Sequence, residues 1–399
     1  MAVSEKTKIF MEKGSWIRRM FEEGIALKQL YGDHNVFDLS LGNPEMEPPS
    51  QFTKELRDIA NNPDPGSHRY MPNAGYMETR DAVAKQLAVE TGLNFTAAEI
   101  LMTVGAGGAL NVILKTLLDP GDEVVIFAPY FVEYMFYADN HGGVCRVVPT
   151  GTNFLPDMAD FANTIGPKTR IVLVSSPGNP TGILYEAHML AKFGEIISTK
   201  EHEFGREIFL ISDEPYRKIL FDGVDYPQVF SHHKRTIVAT SHSKDLALPG
   251  ERIGFIAVNP DYNDKTELMD GLTFSNRTLG FVNAPAIMQR IVAKLQGVTV
   301  DVSQYQSKRD YLYRELTHIG YSVVKPQGAF YMFPRAPIEN DIEFVAELQK
   351  HKVLVVPGRG FGVPGHFRIS YCVSDQTLER SVPGFKAAFE KYIGRSSSN

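Results

Sequence analysis

The sequence predicts an α/β protein: a large domain with a mostly parallel sheet sandwiched by helices, joined to a smaller α+β domain. Three observations predict this. Between about residues 76 and 285, helical stretches alternate with short β-branched runs at 122–128 (DEVVIFA), 171–176 (IVLVSS), 207–213 (EIFLISD) and 235–241 (RTIVATS). Those runs are apolar almost throughout, as strands buried on both faces must be, and the helices between them supply the crossovers that parallel strands need. After residue 300 the pattern changes to one long polar helix followed by separate short strand-like segments. We place the large domain at residues 48–288 and the small domain at 1–47 with 289–399.

Each element has its own signal. Residues 14–30 carry apolar side chains at near-helical spacing, and Val36 to Leu41 reads as a short strand. Pro44, Pro48 and Pro49 break the pattern where the chain crosses between the two bodies. Gly105 to Gly108 opens an apolar helical run through Leu110, Val112, Ile113, Leu114 and Leu117. The four strands follow, then a helix over 300–319. Tyr321–Val324, Ala329–Phe333, Val353–Val356 and Phe367–Ser370 read as the strands of the small domain.

Composition narrows the function. The 399 residues are 43% hydrophobic and 22% charged, which excludes a disordered chain. A net charge of −6 without a basic block argues against a nucleic-acid partner. Cys145 and Cys372 are too few and too far apart for a disulfide framework or a zinc cluster, so no metal is expected. No uncharged apolar run is long enough to span a membrane, and the N-terminus lacks the apolar core of a signal peptide. The expected setting is cytoplasmic.

In open parallel sheets, chemistry collects beyond the carboxyl ends of the strands. Ser176–Asn179, Asp213–Tyr216 and Ser241–Lys244 each follow such a strand directly, so an amide, a carboxylate with a phenol, and a lysine converge at one edge. A lone lysine is ordinarily a solvated loop charge. Lys244 leaves a buried strand, where low dielectric lowers an amine's pKa and suits Schiff-base chemistry. Ser241, Ser243 and Arg252 supply donors that a phosphate needs. Asp213 could merely cap a helix, yet such an anion also suits a protonated pyridine nitrogen; pyridoxal phosphate needs both a lysine and an acid of this kind. Tyr216 and Asn179, the latter held extended by the proline after it, can read the same cofactor's phenolic oxygen. The glycines at 105–108 leave backbone N–H groups free for phosphate but lack dinucleotide-binding spacing. Phe131 can lie against a cofactor ring, and Tyr70 sits in a loop suited to surface or interface. Arg368 is a charge inside an apolar strand, where a planar fork fits a substrate carboxylate or a structural ion pair.

With these residues assembled, the sequence resembles the class I/II aminotransferases of pyridoxal phosphate fold type I, and among them the prokaryotic aspartate, aromatic and broad-range subgroup. The resemblance runs from Ser15 to Arg368 through Leu41-Gly-Asn-Pro, Tyr70, Gly105–Gly108, Asn179-Pro-Thr-Gly, Asp213-Glu-Pro-Tyr216, Ser241-His-Ser-Lys244, Arg252 and Arg368. It implies that Lys244 bonds the cofactor and then shuttles the substrate's proton. Asp213 would pair with the ring nitrogen, Asn179 and Tyr216 would contact the phenolic oxygen, and Phe131 would stack on the ring. The N–H groups of Ala106 and Gly107, with Ser241, Arg252 and the neighbouring subunit's Tyr70, would hold the phosphate. Arg368 and the Gly42 backbone would clamp the α-carboxylate. A shared site implies a homodimer.

One aspartate-preferring group places a lysine in the phosphate loop, where this chain has Gly107. Arg277 falls near a stretch where other members present a cross-subunit arginine, and Arg18 and Arg19 are comparable candidates for a distal carboxylate. The expected activity moves the amino group of an L-amino acid to a 2-oxo acid such as 2-oxoglutarate. A carbon–sulfur lyase on the same scaffold is the alternative. A cofactor-binding regulator fits poorly, because every expected catalytic position is filled.

Overall fold

The computed structural model describes residues 2–396, apart from the side chains of residues 12, 13, 15, 17–19, 21 and 394–396. The short strand β1 (Phe37–Asp38) precedes a central set: β2 (Ile100–Thr103), β3 (Glu123–Phe127), β4 (Val144–Val148), β5 (Thr169–Val174), β6 (Phe209–Asp213), β7 (Thr236–Ser241) and β8 (Gly254–Val258). These seven form one sheet in the order β2-β8-β7-β6-β5-β3-β4. β4, β3, β5, β6 and β7 are mutually parallel, whereas β8 runs antiparallel to both β7 and β2. The sheet is therefore mostly parallel, with one strand reversed.

Side chains alternate across it. On β5, Ile171 and Leu173 pack into one apolar layer while Val172 and Val174 pack into the other. The first layer is covered by the helices Gly105–Leu117, Glu133–Asn140 and Lys265–Thr278. The second is covered by Met77–Thr91, Ala187–Phe204 and Ala286–Lys294. Two buried faces explain the near-continuous apolar runs in the sequence.

A further core gathers β9 (Tyr331–Met332), β10 (Val353–Leu354), β11 (Val356–Pro357) and β12 (Phe367–Ser370) under the helices Val302–Ile319, Asp341–Lys350 and Asp375–Ser396. β10 pairs with β1, and β12 lies between β11 and β9. The helix Ser15–Tyr31 places Met20 in this core, so the chain's start and end pack together. We propose that the large domain spans residues 48–288 and that the small domain comprises 1–47 with 289–399. Among the described residues, no helix is long and apolar enough to cross a membrane.

Several expectations need correction. Tyr321–Val324 is not a strand. Tyr321 fills the core against Phe389 and Phe367, and its hydroxyl donates to the Phe385 carbonyl at 2.9 Å. The strand expected over 36–41 shrinks to β1. β2, β4 and β8 were not expected. β4 lies at the sheet edge with mostly exposed side chains, and β2 and β8 are short runs beside a helix and a turn.

Candidate active site

Strand alternation decides which residues share a cavity. Phe209 and Ile211 face the Gly105–Leu117 side of β6, and Asp213 continues that side. Leu210 faces the other way, and Glu214 continues that. On β7, Ile237 and Ala239 lead to Ser241 in the same manner. β8, running in reverse, starts at the same edge: Gly254 pairs with both Ser241 and Thr103, beside the start of the Gly105–Leu117 helix. Gly105 adopts φ +69°, and a Cβ there would stand 2.9 Å from the Arg252 guanidinium. Glycine thus lets that cation approach the helix N-terminus, where unpaired N–H groups already favour an anion.

The result is a cavity of about 330 Å³, lined by Gly42, Ala106, Gly107, Phe131, Asn179, Asp213, Tyr216, Ser241, Lys244, Arg252 and Arg368. Among the described residues, every candidate from the sequence reaches it except Tyr70, which is 90% exposed, and Arg277. Arg277 is exposed at the end of its helix, with its guanidinium over its own Phe274 ring. The side chains of Arg18 and Arg19 lie outside the described residues.

Within the cavity, Lys244 Nζ donates to the Gly42 carbonyl at 2.7 Å. Burial, with Arg252 and Arg368 adding to it and Cys372 opposing it, pulls the amine down to about 8. Asp213 is buried. Its Oδ2 accepts from the Tyr134 hydroxyl at 2.6 Å, while its Oδ1 has no partner. Burial outweighs that hydrogen bond, and the neighbouring Glu214 adds to it, so the carboxyl rises to about 7. Arg368 donates through Nη1 to Asn179 Oδ1 at 2.9 Å and through Nη2 to the Ser40 carbonyl. Its guanidinium lies between the rings of Tyr331 and Phe361, and its Nε is unpaired. Because Asn179 accepts through its oxygen, its NH₂ is left as a donor. The Tyr216 and Tyr331 hydroxyls are 3.0 Å apart. A Cβ at Gly42 would stand 1.8 Å from that Tyr331 hydroxyl, so only glycine fits there.

Sequence reasoning missed three tyrosines. Tyr134 holds Asp213, Tyr331 stacks on Arg368, and Tyr137 lines the cavity beside Gly107. Phe131, Tyr134 and Tyr137 are spaced by three, which puts them on one side of a helical turn; that spacing was the available signal. Tyr331 offered none. Tyr134→Phe is expected to lower stability by about 1–3 kcal/mol, because Asp213 Oδ2 loses its donor inside the protein. The same loss should push the Asp213 carboxyl higher still, since the hydrogen bond favours the charged form. Urea melts of mutant and parent check the first effect.

Chemically, the cavity joins an anion-binding helix start, a poised amine, a carboxylate with a free oxygen and a buried guanidinium. Comparison with known proteins agrees. The family model for aminotransferase class I and II matches residues 34–383. An aspartate/prephenate aminotransferase of Thermus thermophilus is 32% identical over 364 residues, covering 90% of this chain and 91% of that protein. An aromatic-amino-acid aminotransferase of Thermococcus litoralis is 31% identical over 396 residues, covering 96% of this chain and 97% of the relative. The crystal structure of an aminotransferase from Eubacterium rectale superposes with a TM-score of 0.94 at 38% identity, covering 98% of this chain and 99% of the other. With a family match over nearly nine-tenths of its length, the chain belongs to the class I and II aminotransferases and is an enzyme that transfers amino groups.

Proposed function

We propose that the enzyme works with pyridoxal 5'-phosphate, held in the 330 Å³ cavity, and moves the amino group of an aspartate-like or aromatic L-amino acid to a 2-oxo acid such as 2-oxoglutarate. The residues fit this group. A buried carboxylate with an unpaired oxygen is costly unless a cationic partner meets it, and a protonated ring nitrogen is such a partner. Arg252, Ser241 and the N–H groups of Ala106 and Gly107 suit a phosphate; Asn179 and Tyr216 suit a phenolate oxygen; Phe131 offers a ring face. When bound, the cofactor supplies an electron-poor ring that stabilises the charge left as the substrate Cα–H ionises.

The chain's own residues do the rest. Lys244, neutral in good part near pH 8, would take the Cα proton on its Nζ and hand it on to the cofactor carbon that receives the amino group. Asp213 keeps a positive charge on the ring side of the cavity. Arg368, braced by Asn179, Ser40 and two aromatic rings, binds the α-carboxylate and orients the amino acid. The observation that carries the reading is one cavity holding both the depressed amine of Lys244 and the unpaired oxygen of Asp213.

Tyr70 and Arg277 reach no site in their own chain, which supports a homodimer with shared sites; a cytoplasmic setting is proposed with it. The experiment is to add the cofactor to purified protein, record its absorption, and assay a panel of amino acids with 2-oxoglutarate. Pyruvate or ammonia release instead of amino transfer would favour the lyase chemistry. Removing the guanidinium from its buried contacts costs about 2–5 kcal/mol. Arg368→Met is therefore expected to lower kcat/KM roughly 30- to 4,000-fold, at about 1.4 kcal/mol per decade. A loss confined to substrates bearing an α-carboxylate supports the assignment, and an equal loss for simple amines removes it.

A further inference from the structure

The helix that carries Lys244, His242–Asp245, is four residues long. A helix so short cannot hold itself and depends on tertiary ties. Ala247 and Arg252, just beyond it, both have φ +53°, so the loop is held in a conformation that its side chains disfavour. Some ties are backbone: His242 N–H donates to the Ile253 carbonyl at 3.0 Å, and the Asp245 carbonyl accepts from Val300 N–H at 2.7 Å and Thr299 Oγ1 at 3.0 Å.

The Asp245 side chain supplies another. It is buried and is not part of the cavity that Lys244 enters. Its Oδ2 accepts from His242 Nδ1 at 3.2 Å and lies 3.8 Å from Lys218 Nζ. Burial alone would raise this carboxyl, but His242, Lys218 and Arg217 outweigh that and hold it below the usual range.

Lys218 belongs to the other catalytic turn. The end of β6 and the segment after it send Asp213 and Tyr216 into the active cavity, while Glu214, Arg217 and Lys218 line a separate cavity of about 360 Å³. Arg217 anchors that segment to Glu90 at 2.5 Å. The Thr240 hydroxyl donates to the Glu214 carbonyl at 2.9 Å, which ties the ends of β6 and β7 together. Beyond those strand ends, the Lys218–Asp245 pair bridges the turn of the acid and the turn of the amine.

We propose that Asp245, clasped by His242 and Lys218, is a positioning residue that fixes the spacing between the turn bearing Lys244 and the turn bearing Asp213. This rests on the reading that those two residues serve one cofactor. A misplacement of about 1 Å can lower turnover about 100-fold, so the pair matters through geometry without touching substrate.

The test uses Lys218→Met and Asp245→Asn in the holoenzyme, with Lys218→Arg as the conservative rescue. Glu347→Gln, which breaks ion pairs with Lys350 and Lys391 elsewhere, is the stability control. Both test variants are expected to lower kcat about 10- to 100-fold with KM within about twofold, and to move the pH midpoint of the cofactor's visible band. Lys218→Arg should restore both. In cofactor-free protein, the pH dependence of cyanate reaction at Lys244, read by mass spectrometry, should shift toward that of an exposed lysine. If melting temperature falls while kcat, band midpoint and cyanate profile stay at parental values, the role is structural only and the proposal is overturned. If the parent shows no cofactor bonded to Lys244, the cofactor reading fails, and the cyanate profile still decides the positioning claim. If Asp245→Asn does not fold, Lys218→Met carries the decision alone.

Discussion

Lys244→Ala is expected to abolish covalent attachment of pyridoxal phosphate and lower turnover about 10⁴-fold, the upper range for losing a general acid–base group. The size follows from how little else could replace it. Among the described residues lining the cavity, Arg252 and Arg368 are the other cations, and a guanidinium does not give up its proton at neutral pH. Lys244 differs because burial and those same guanidiniums bring its amine to about 8, against about 10.4 for an exposed lysine. No carboxylate pairs with it; its partner is the neutral Gly42 carbonyl, and the Phe330 ring lies 5.4 Å away. Borohydride reduction followed by peptide mass spectrometry checks the prediction. An adduct on another lysine would show that the wrong amine was chosen.

Asp213→Asn is expected to act in opposite directions on activity and stability. Turnover should fall about 10²- to 10³-fold, the usual loss when one preorganised electrostatic contact is removed. Cofactor-free protein should become more stable above neutrality. The carboxyl rises from 3.8 unfolded to about 7 folded, mainly through burial. Between those values the native state binds more protons than the unfolded state, so stability falls as pH climbs through that window. Above pH 7 the penalty is complete, on the order of 4 kcal/mol at 1.36 kcal/mol per pH unit. Asparagine carries no such penalty and can still accept from Tyr134. Urea melts of the cofactor-free proteins at pH 5 and pH 8 check this: the gain should be about two- to threefold larger at pH 8. Equal gains at both values would mean that Asp213 does not titrate in that window.

Much of this was legible in the chain because strands deliver residues to a common edge. Once 207–213 and 235–241 were read as parallel strands, the convergence of Asp213 and Lys244 followed from the rule for open sheets. Arg368 stood out as a charge within Phe367–Ser370. What stayed hidden depended on distance in sequence. Tyr134 reaches Asp213 across 79 residues, and Lys218 meets Asp245 across a sheet edge that linear spacing does not draw. The reversed β8 was hidden for another reason: Gly254–Val258 is apolar like its parallel neighbours, and composition does not encode direction. Tyr321–Val324 misled because its β-branched pair serves a coil packed into the small-domain core.

The parity of β6 carries a consequence for anyone comparing or re-engineering such chains. Asp213 and Glu214 leave the strand on opposite sides. Loss of a single amino acid upstream, between 209 and 212, would therefore swap one acid for another, a methylene longer, at the reactive centre. Such a frameshift in space is invisible to a tally of acidic letters, so alignments of this motif must be anchored on the apolar rhythm preceding it.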